Sequence, residues 1–468
     1  IGGLLRFVNL GASEMTPDEA ASWAAAAAPT VADVIRRQAV LNPGKLAAYE
    51  LVLHGWIGLF GSDVTAMRTL SAMLGIVAIA LVFWVARELL ALAGCGKRVR
   101  SPGVIPDGSS TLCNGRGEQS AVDIDYAAAL SALIFAVTLT MIRFARESRM
   151  YPLLIAALLA ETGFLLRAHR RGAIANYAAV SLFTAVAIAA NFNAVFTIAA
   201  QGLWLLLSRE GRRGGIPYKP LAALALGAAA LLPVMAGAVA SSVGAMDKGA
   251  LDWIAPPRPS ELFSFFNRGT GTLPFPVLLA LAAWGVVSQW SRLRDAIIFA
   301  LFWMYGPVIL LYVMSLTVTP LLVERYALSS FVPFFILAAV GIAACNSRHV
   351  RAGAIALTVA LSIGHAAPFL LKPPSLQWRH AADLIRRDIP NATIAVAPSY
   401  GANVLIYYLP QSDRYVVTGL TADSCARSAL LLLWDHALEG PSGKQAQACR
   451  VRFPRVIFTE KDLSVLSR

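Results

Sequence analysis

Three short polar segments stand out in this apolar sequence because the first carries carboxylates and the other two combine a carboxylate with arginine. They are EMTPDEAASW (14–23), RFARESRMYP (143–152) and VERYALSSFVP (323–333). A carboxylate can accept the proton of an attacking hydroxyl, and arginines can neutralise the charge of a departing phosphate. The segments therefore suit a reaction that handles an anionic phosphate while it activates a hydroxyl.

The first segment also has a purely structural explanation. Thr16 followed by Pro17 and Glu19 is the pattern of a capping box with proline at the first helical position. Asp18 falls in the same first turn, where the positive end of the helix favours an ionised carboxylate. A cap and a catalytic base are compatible here, so both remain open.

The other two segments have structural explanations as well. Arg143 can snorkel to the membrane surface while Glu147 pairs with Arg146 or Arg149. Arg325 beside an aromatic residue is an ordinary interfacial anchor. A functional role is favoured because all three segments fall on one side of the predicted membrane topology, and ionisable residues at membrane depth are functional candidates.

The composition predicts an integral membrane protein. Of 468 residues, 57% are hydrophobic and 14% charged, and the mean hydropathy is +0.62. Apolar runs of about the length of a membrane span lie at 64–90, 126–145, 151–168, 174–190, 193–208, 220–240, 273–290, 296–314, 326–344 and 352–370. The opening IGGLLRFVNLG reads as the last turns of a further helix, so we predict about eleven transmembrane helices, the first truncated.

Basic residues fall in alternate connections, at 87–116, 167–171, 209–219, 292–294 and 348–351. The positive-inside rule assigns these to the cytoplasm and places the three polar segments outside. This explains the net charge of +13 without nucleic acid. The run at 45–60 is short for a span and contains Lys45, so we expect it along the outer interface.

The last hundred residues differ in character from the rest of the chain. Short β-branched runs alternate with helical signals, which predicts a small extracytoplasmic α/β domain at 371–468 after a membrane domain at 1–370. Cys425 and Cys449 lie on the outer side, where a disulfide can form. Cys95, Cys113 and Cys345 lie inside.

The order of these motifs resembles the bacterial relatives of the protein O-mannosyltransferases, which are integral-membrane glycosyltransferases of the C-type fold in the family 39 and aminoarabinose-transferase group. The similarity covers most of residues 1–370. Its most specific elements are Asp-Glu after the first helix and the turn Glu147-Ser-Arg149-Met-Tyr151. The tail resembles the extracytoplasmic α/β appendage of many bacterial members.

The resemblance implies that Asp18 activates the acceptor, with Glu19 beside it, and that Glu147 and Arg149 face a polyprenyl-phosphate sugar. Arg149 and Arg325 are the first candidates to bind the donor phosphate. The remaining candidates for that role are Arg146, Lys45 and Tyr151.

Two motifs depart from the usual pattern of this group. Asn42-Pro43-Gly44 stands where relatives often have His-Pro-Pro, and Asn191-Phe192-Asn193 stands where many have His-Tyr. These departures leave the sugar open.

We therefore expect an inverting glycosyltransferase that moves a hexosyl or pentosyl group from a polyprenyl phosphate to a hydroxyl. Inversion follows from one carboxylate and no obvious second nucleophile. The acceptor is a lipid, a protein or a polysaccharide, and the site faces outward from the bacterial cytoplasmic (inner) membrane. No nucleotide-binding loop is present, which argues against a soluble nucleotide-sugar donor.

Three questions stay open at this stage. A transporter or flippase of lipid-linked sugar would also need many spans, although its charges should lie near the midplane. A polysaccharide polymerase or ligase would use the same lipid-linked donors. Asp18, Glu19 and Glu147 could together hold Mg²⁺ or Mn²⁺ through oxygen ligands.

Overall fold

The structure is a computed structural model. It describes residues 1–42, 44–92, 122–209, 212, 215–246, 254–372, 377–410, 414–438 and 443–468. Cys95, Cys113, Pro43 and the basic residues predicted between 97 and 116 lie outside these ranges.

The first part of the chain is helical. Its helices are α1 (Gly2–Phe7), α2 (Pro17–Ala26), α3 (Val31–Leu41), α4 (Ala48–Phe60), α5 (Val64–Leu90), α6 (Ile124–Val137), α7 (Leu139–Ala145), α8 (Tyr151–Arg171), α9 (Ile174–Ala190) and α10 (Ala194–Leu207).

Further helices follow before the sheet. They are α11 (Tyr218–Ala229), α12 (Leu232–Met246), α13 (Glu261–Thr270), α14 (Pro274–Thr317), α15 (Phe331–Ala343), α16 (Arg348–Leu371) and α17 (Trp378–Asp388). Two 3-10 turns, Glu324–Tyr326 and Leu328–Ser330, lead into α15.

Several of these helices are suited to cross a membrane. In the described part of the chain, α5, α8, α14 and α16 are long and apolar enough, and two bent pairs, α6 with α7 and α11 with α12, raise the number to six. The helices α9 and α10 and the segment Leu328–Ala343 are apolar but shorter. The protein is thus a multi-pass membrane protein, and the number of eleven spans stays a prediction.

The 44-residue helix α14 reverses direction part-way along. Leu293 has non-helical backbone angles. Both halves of α14 contact the start of α15. The ring centroids of Phe275 and Phe334 are 6.2 Å apart, and the Ser330 hydroxyl donates to the Trp303 carbonyl. A straight helix would separate residues 275 and 303 by about 42 Å. The two predicted apolar runs at 273–290 and 296–314 therefore form a helical hairpin that bends at Leu293.

Small residues allow the first half of α14 to approach α15 closely. A Cβ atom on Gly285 would lie 2.5 Å from the Leu337 carbonyl oxygen, and one on Gly341 would lie 1.9 Å from that of Leu281. Close backbone contact through glycine is typical of helix pairs in membranes. This contact fixes α15, and with it the turn that carries Arg325.

The run predicted to lie along the outer interface forms α4. At 13 residues it is shorter than the roughly 20 that a span needs. Tyr49, Glu50 and Leu53 are buried, while Leu59 and Phe60 are exposed. The helix thus packs on one face only, and its place at the interface stays a prediction.

The sheet lies in the C-terminal part. Its strands are β1 (Thr393–Ala397), β2 (Val416–Gly419), β3 (Leu430–Trp434), β4 (Arg455–Glu460) and β5 (Leu463–Ser467), in the order β2-β1-β3-β5-β4. The first three strands are parallel, and β5 pairs antiparallel with β3 and β4. Helices α18 (Ala402–Tyr408), α19 (Ala422–Arg427) and α20 (Gly443–Arg450) alternate with the strands, as predicted for an α/β unit.

Cys425 in α19 and Cys449 in α20 form a disulfide, which the sequence allowed. Both side chains are buried against the sheet in one apolar cluster. Cys345 is a free thiol. The bond closes a loop of 24 residues on one side of the sheet. A disulfide that closes a loop of this length stabilises the folded state by about 3 kcal/mol.

The C-terminal unit is fixed to the segment that contains α2. The Glu14 carboxylate accepts hydrogen bonds from the backbone N–H groups of Trp378 and Arg379, at 2.8 and 3.2 Å. The Tyr408 hydroxyl accepts from the Met15 backbone at 2.9 Å. These contacts place the sheet-bearing unit directly beside the first polar segment.

Candidate active site

A buried ion pair between Glu19 and Arg68 organises the region. Arg68 Nε and Nη2 donate to the two Glu19 carboxylate oxygens at 2.7 and 2.8 Å. The same oxygens accept from the backbone N–H groups of Thr16, at 3.0 Å, and Ser148, at 2.9 Å. One carboxylate thus joins α2, α5 and the turn before α8, and the capping box predicted at Thr16 is present.

Arg68 also holds the strand of chain that enters α2. Its Nη1 atom donates to the Leu10 carbonyl and to both the carbonyl and the hydroxyl of Ser13, at 2.8 to 3.0 Å. Its Nη2 atom donates to the Glu14 carbonyl at 2.8 Å. Burial would raise the pKa of Glu19, but the hydrogen bonds and charge of Arg68 outweigh it and lower that pKa.

Arg149, in the turn between α7 and α8, is buried against α2. Its Nη1 atom donates to the Asp18 carbonyl at 2.7 Å and to the Ser22 hydroxyl at 3.0 Å. The Ser22 hydroxyl in turn donates to Glu50 at 2.9 Å. Arg149 Nε has no hydrogen-bond partner among the described residues. The guanidinium is therefore held by α2 with donor capacity to spare.

The Asp18 carboxylate lies between two arginines. Its Oδ1 is 4.0 Å from Arg149 Nη2, and its Oδ2 is 3.6 Å from Arg325 Nη1. The Asp18 side chain is 55% exposed and that of Arg325 is 29% exposed, whereas that of Arg149 is 1% exposed. The charge of Arg149, followed by those of Lys45 and Arg325, lowers the pKa of Asp18. The three polar segments of the sequence thus meet at this carboxylate.

Lys45 joins the same cluster from the loop between α3 and α4. Burial, with the positive charge of Arg149, lowers the pKa of Lys45 to about 7, although Asp18 and Glu50 oppose that shift. An amine with such a pKa changes its charge at neutral pH. Lys45 can therefore serve as a cation whose presence depends on pH.

Glu147 lies at the edge of the cluster and pairs with Arg143. The distance from Arg143 Nε to Glu147 Oε1 is 3.1 Å, and the Glu147 side chain is 19% exposed. Burial raises the pKa of Glu147, as do the negative charges of Glu19 and Asp18, while Arg143 opposes them. Glu147 is thus near Asp18 but bound to an arginine of its own segment.

Arg146 has partners that differ from the phosphate predicted for it. It is buried, and its Nη atoms donate to the carbonyls of Leu5, Val8 and Asn9 at the end of α1. Those carbonyls have no partner within the helix, so a cation there satisfies the helix end. These contacts give Arg146 a structural role, and its predicted contact with the phosphate stays a prediction.

Tyr151 lies at the first residue of α8 and is 2% exposed. Its ring packs edge-on against Phe144 at 4.7 Å. It interacts electrostatically with Asp18, Arg149 and Arg325. The tyrosine thus forms part of the wall of the cluster.

Two residues of this region, Arg68 and Tyr400, were not predicted from the sequence. Arg68 lies inside the apolar run 64–90, and an arginine in such a run is itself a signal that was available. Tyr400 comes from the 3-10 turn Ser399–Gly401 after β1 and is 49% exposed. Burial and the charge of Asp18 raise the pKa of Tyr400 to about 12. No sequence pattern indicated that the C-terminal unit reaches the first polar segment.

The residues predicted to hold a divalent cation do not fit one. Among the described residues, no group of three or more His, Cys, Asp or Glu side chains is arranged as a metal site. Glu19 is bound to Arg68, Glu147 to Arg143, and Asp18 lies between arginines. The positive charge that such a cation would bring is already supplied by side chains.

Two solved structures share this arrangement of helices and sheet. ArnT from Cupriavidus metallidurans bound to undecaprenyl phosphate matches with a TM-score of 0.61 and 15% identity, over 100% of this chain and 96% of that chain. The apo state of the same protein matches with a TM-score of 0.57 and 14% identity, over 99% and 96%. The chain has the ArnT fold.

The ArnT fold is that of a C-type glycosyltransferase, which confirms the fold expected from the sequence. No protein-family model matches the sequence, and no curated protein sequence matches it significantly. At 15% identity the ArnT likeness concerns the fold, so the roles of individual residues must rest on the geometry of this chain.

We predict that Glu19→Gln strongly destabilises the protein because it leaves the Arg68 cation buried without its counter-charge. Breaking a buried pair costs about 3–5 kcal/mol. The matched control is Asp383→Asn, which breaks an exposed pair with Arg386 and should cost under about 1 kcal/mol. The measurement is thermal unfolding in detergent.

The free energy of unfolding that Glu19 contributes depends on pH in a definite direction. Because the folded-state pKa of Glu19 is lowered, its stabilisation is present above the ordinary glutamate pKa of about 4.3 and is lost as pH falls through the folded value. Glu19→Gln should remove this acid sensitivity. Equal stability of Glu19→Gln and Asp383→Asn would contradict the organising role of the pair.

Proposed function

We propose that this chain is an inverting glycosyltransferase that moves a sugar from a polyprenyl phosphate to an acceptor hydroxyl. The observation that carries the proposal is the exposed Asp18 carboxylate between Arg149 and Arg325, with Lys45 nearby, in a chain with the ArnT fold. One structure with that fold binds undecaprenyl phosphate. We place the site on the outer face of a bacterial cytoplasmic membrane.

Asp18 is the proposed base. Its lowered pKa keeps the carboxylate ionised at neutral pH, which a base requires, but also makes it a weaker proton acceptor. The contacts of 3.6 and 4.0 Å to the arginines are loose ion pairs. A donor phosphate that draws the arginines toward itself raises the basicity of Asp18 when the acceptor is present.

Arg325 and Lys45 are the proposed primary contacts of the donor phosphate. Arg325 is partly exposed, and its planar guanidinium suits a phosphate. The predicted first choice, Arg149, is buried and hydrogen-bonded to α2. Arg149 therefore positions Asp18 and adds its charge, and its spare Nε–H can turn to the donor.

The reaction follows from this arrangement. The acceptor oxygen attacks the anomeric carbon on the face opposite the phosphate, the bond from that carbon to the phosphate oxygen breaks, and Asp18 takes the hydroxyl proton. The phosphate leaves with the electron pair of the broken bond. Cations aimed at a developing charge in a site poor in water are each worth about 10²–10³ in rate.

Glu19 receives a different part from the one predicted, whereas Glu147 keeps its predicted place beside the sugar. Among the described residues the Glu19 carboxylate is hydrogen-bonded to Arg68 and to the backbone of Thr16 and Ser148, so we propose that it positions the α2 turn that carries Asp18. Glu147, paired with Arg143 but partly exposed, is proposed to contact the sugar. Tyr151 supports Arg149 and Arg325 from the wall.

We further propose that residues 1–370 form the membrane domain and residues 371–468 an extracytoplasmic domain that helps bind the acceptor. Tyr400 supports this because its phenol is half exposed within the electrostatic reach of Asp18. A phenol can donate a hydrogen bond to a hydroxyl-bearing lipid, protein or polysaccharide. Sugar and acceptor both remain to be identified by experiment.

A transporter of lipid-linked sugar is the second candidate, because Glu161 is buried near the middle of α8. Ionisable groups at that depth often mark a substrate path. However, Glu161 accepts from the Thr162 hydroxyl, which in turn accepts from the Gln201 amide. Ion pairs such as Arg167–Glu88 and Arg325–Asp18 lie at the ends of the helices instead. The arrangement at Asp18 favours transfer.

We predict that Asp18→Asn abolishes glycosyl transfer, with a loss of at least about 100-fold. Thr16→Ala should cost about 1 kcal/mol of stability through the lost cap but retain transfer. The measurement is mass spectrometry of surface glycolipids and glycoproteins in cells that lack the protein and carry each variant at matched membrane levels. Full transfer by Asp18→Asn would exclude the assigned base.

We also predict that binding of undecaprenyl phosphate weakens as pH rises above about 7. Lys45 loses its proton through a pKa of about 7, and each further pH unit costs up to about tenfold in affinity if the cation is required. The measurement is the dissociation constant of purified protein between pH 6 and pH 9. Lys45→Arg stays charged, so its profile should lack this loss.

The control separates the lysine from the phosphate itself, whose own ionisation affects both proteins alike. The same decline in wild type and Lys45→Arg would exclude Lys45 as a phosphate ligand.

A further inference from the structure

A cavity opens at the far end of the helical bundle. It has a volume of about 300 Å³ and lies between the end of α10 and the residues that follow the reversal of α14. Arg209 and Arg294 line it, together with Asp295. Two cations against one carboxylate leave the lining positive.

The cavity lies on the opposite side of the bundle from Asp18. Helix α8 begins at Tyr151 in the candidate active site and runs 21 residues, about 30 Å, away from it. Helix α9 returns and α10 leads away again, so Arg209 follows the far end of α10. Helix α14 likewise reverses at Leu293, far from its contacts with Phe334 and Ser330 near the turn of Arg325.

The remaining lining is mostly apolar but includes two buried polar residues, Ser208 and Trp204. Trp204, Ile298 and Phe302 contribute apolar surface. The indole N–H of Trp204 is buried and has no hydrogen-bond partner among the described residues. A buried donor without a partner costs free energy unless a ligand or water accepts from it.

We propose that this cavity binds the phosphate headgroup of an anionic phospholipid at the membrane face opposite the candidate active site. Arg209 and Arg294 pair with the phosphate, and the apolar lining receives the start of an acyl chain. Basic pockets between transmembrane helices are suited to lipid headgroups. This site is separate from the proposed glycosyl transfer and does not depend on it.

The apolar surface favours a lipid over a soluble anion. Leu207 lines the cavity and is 61% exposed, and Leu203, one turn earlier, is 40% exposed. In a membrane protein such exposed leucines face acyl chains. A soluble phosphate would use only the arginines, whereas a phospholipid covers both kinds of surface.

The test compares purified wild-type protein with Arg209→Gln/Arg294→Gln in a neutral detergent. The matched control, Arg292→Gln/Arg348→Gln, removes the same charge from the same face outside the cavity lining. Thermal unfolding is measured while phosphatidylglycerol, phosphatidylcholine or inorganic phosphate is titrated. Lipids retained on each protein are counted by native mass spectrometry.

We expect phosphatidylglycerol to stabilise the wild type and the control with the same apparent affinity, and the cavity variant to bind at least fivefold more weakly and retain fewer lipids. Equal affinity in all three proteins, or equal losses in both variants, would overturn the proposal. Saturation of the same effect by inorganic phosphate alone would also overturn it, because the site would then take a soluble anion.

Discussion

The buried pair of Glu19 and Arg68 is the interaction on which the candidate active site depends. It joins the first turn of α2, the second turn of α5 and the backbone of the turn at Ser148. Two charges buried together are costly unless every remaining lone pair and N–H is satisfied. Here the neighbouring backbone supplies those partners, so the pair fixes where Asp18 and Arg149 lie relative to each other.

A consequence of that arrangement is that the reactive groups are less firmly held than the groups behind them. Glu19, Arg68 and Arg149 are almost completely buried, whereas Asp18 and Arg325 are partly exposed and meet at longer distances. A rigid inner layer with a looser outer pair allows a phosphate to compete for Arg325. In the proposed mechanism, Asp18 then gains basicity only when the donor is in place.

The sequence predicted those parts of the fold that depend on long apolar runs. Helix α5 coincides with the run 64–90 because Asp63 caps its first turn. The two runs of α14 were separated correctly, and the break between them is confined to Leu293 because residues 291–295 include neither glycine nor proline. No strand was predicted at 463–467, where β5 follows β4 after only two residues.

The candidate site was predicted to a different degree for each residue. The meeting of Asp18, Arg149 and Arg325 could be expected because alternating topology puts their segments on one face. The partners of Arg146 and the approach of Tyr400 could not, because both depend on how distant segments pack. The direction of the Glu19 side chain also depends on packing, since it is buried against Arg68 while the adjacent Asp18 side chain is partly exposed.

The most direct test of the account is a cryo-electron microscopy structure of the protein with undecaprenyl phosphate. The account predicts that the phosphate lies within hydrogen-bond distance of Arg325 and Lys45, separated from the Asp18 carboxylate by room for the sugar, with the pair of Glu19 and Arg68 unchanged. A phosphate bound elsewhere, or Asp18 and Arg149 opening into separate spaces, would contradict it.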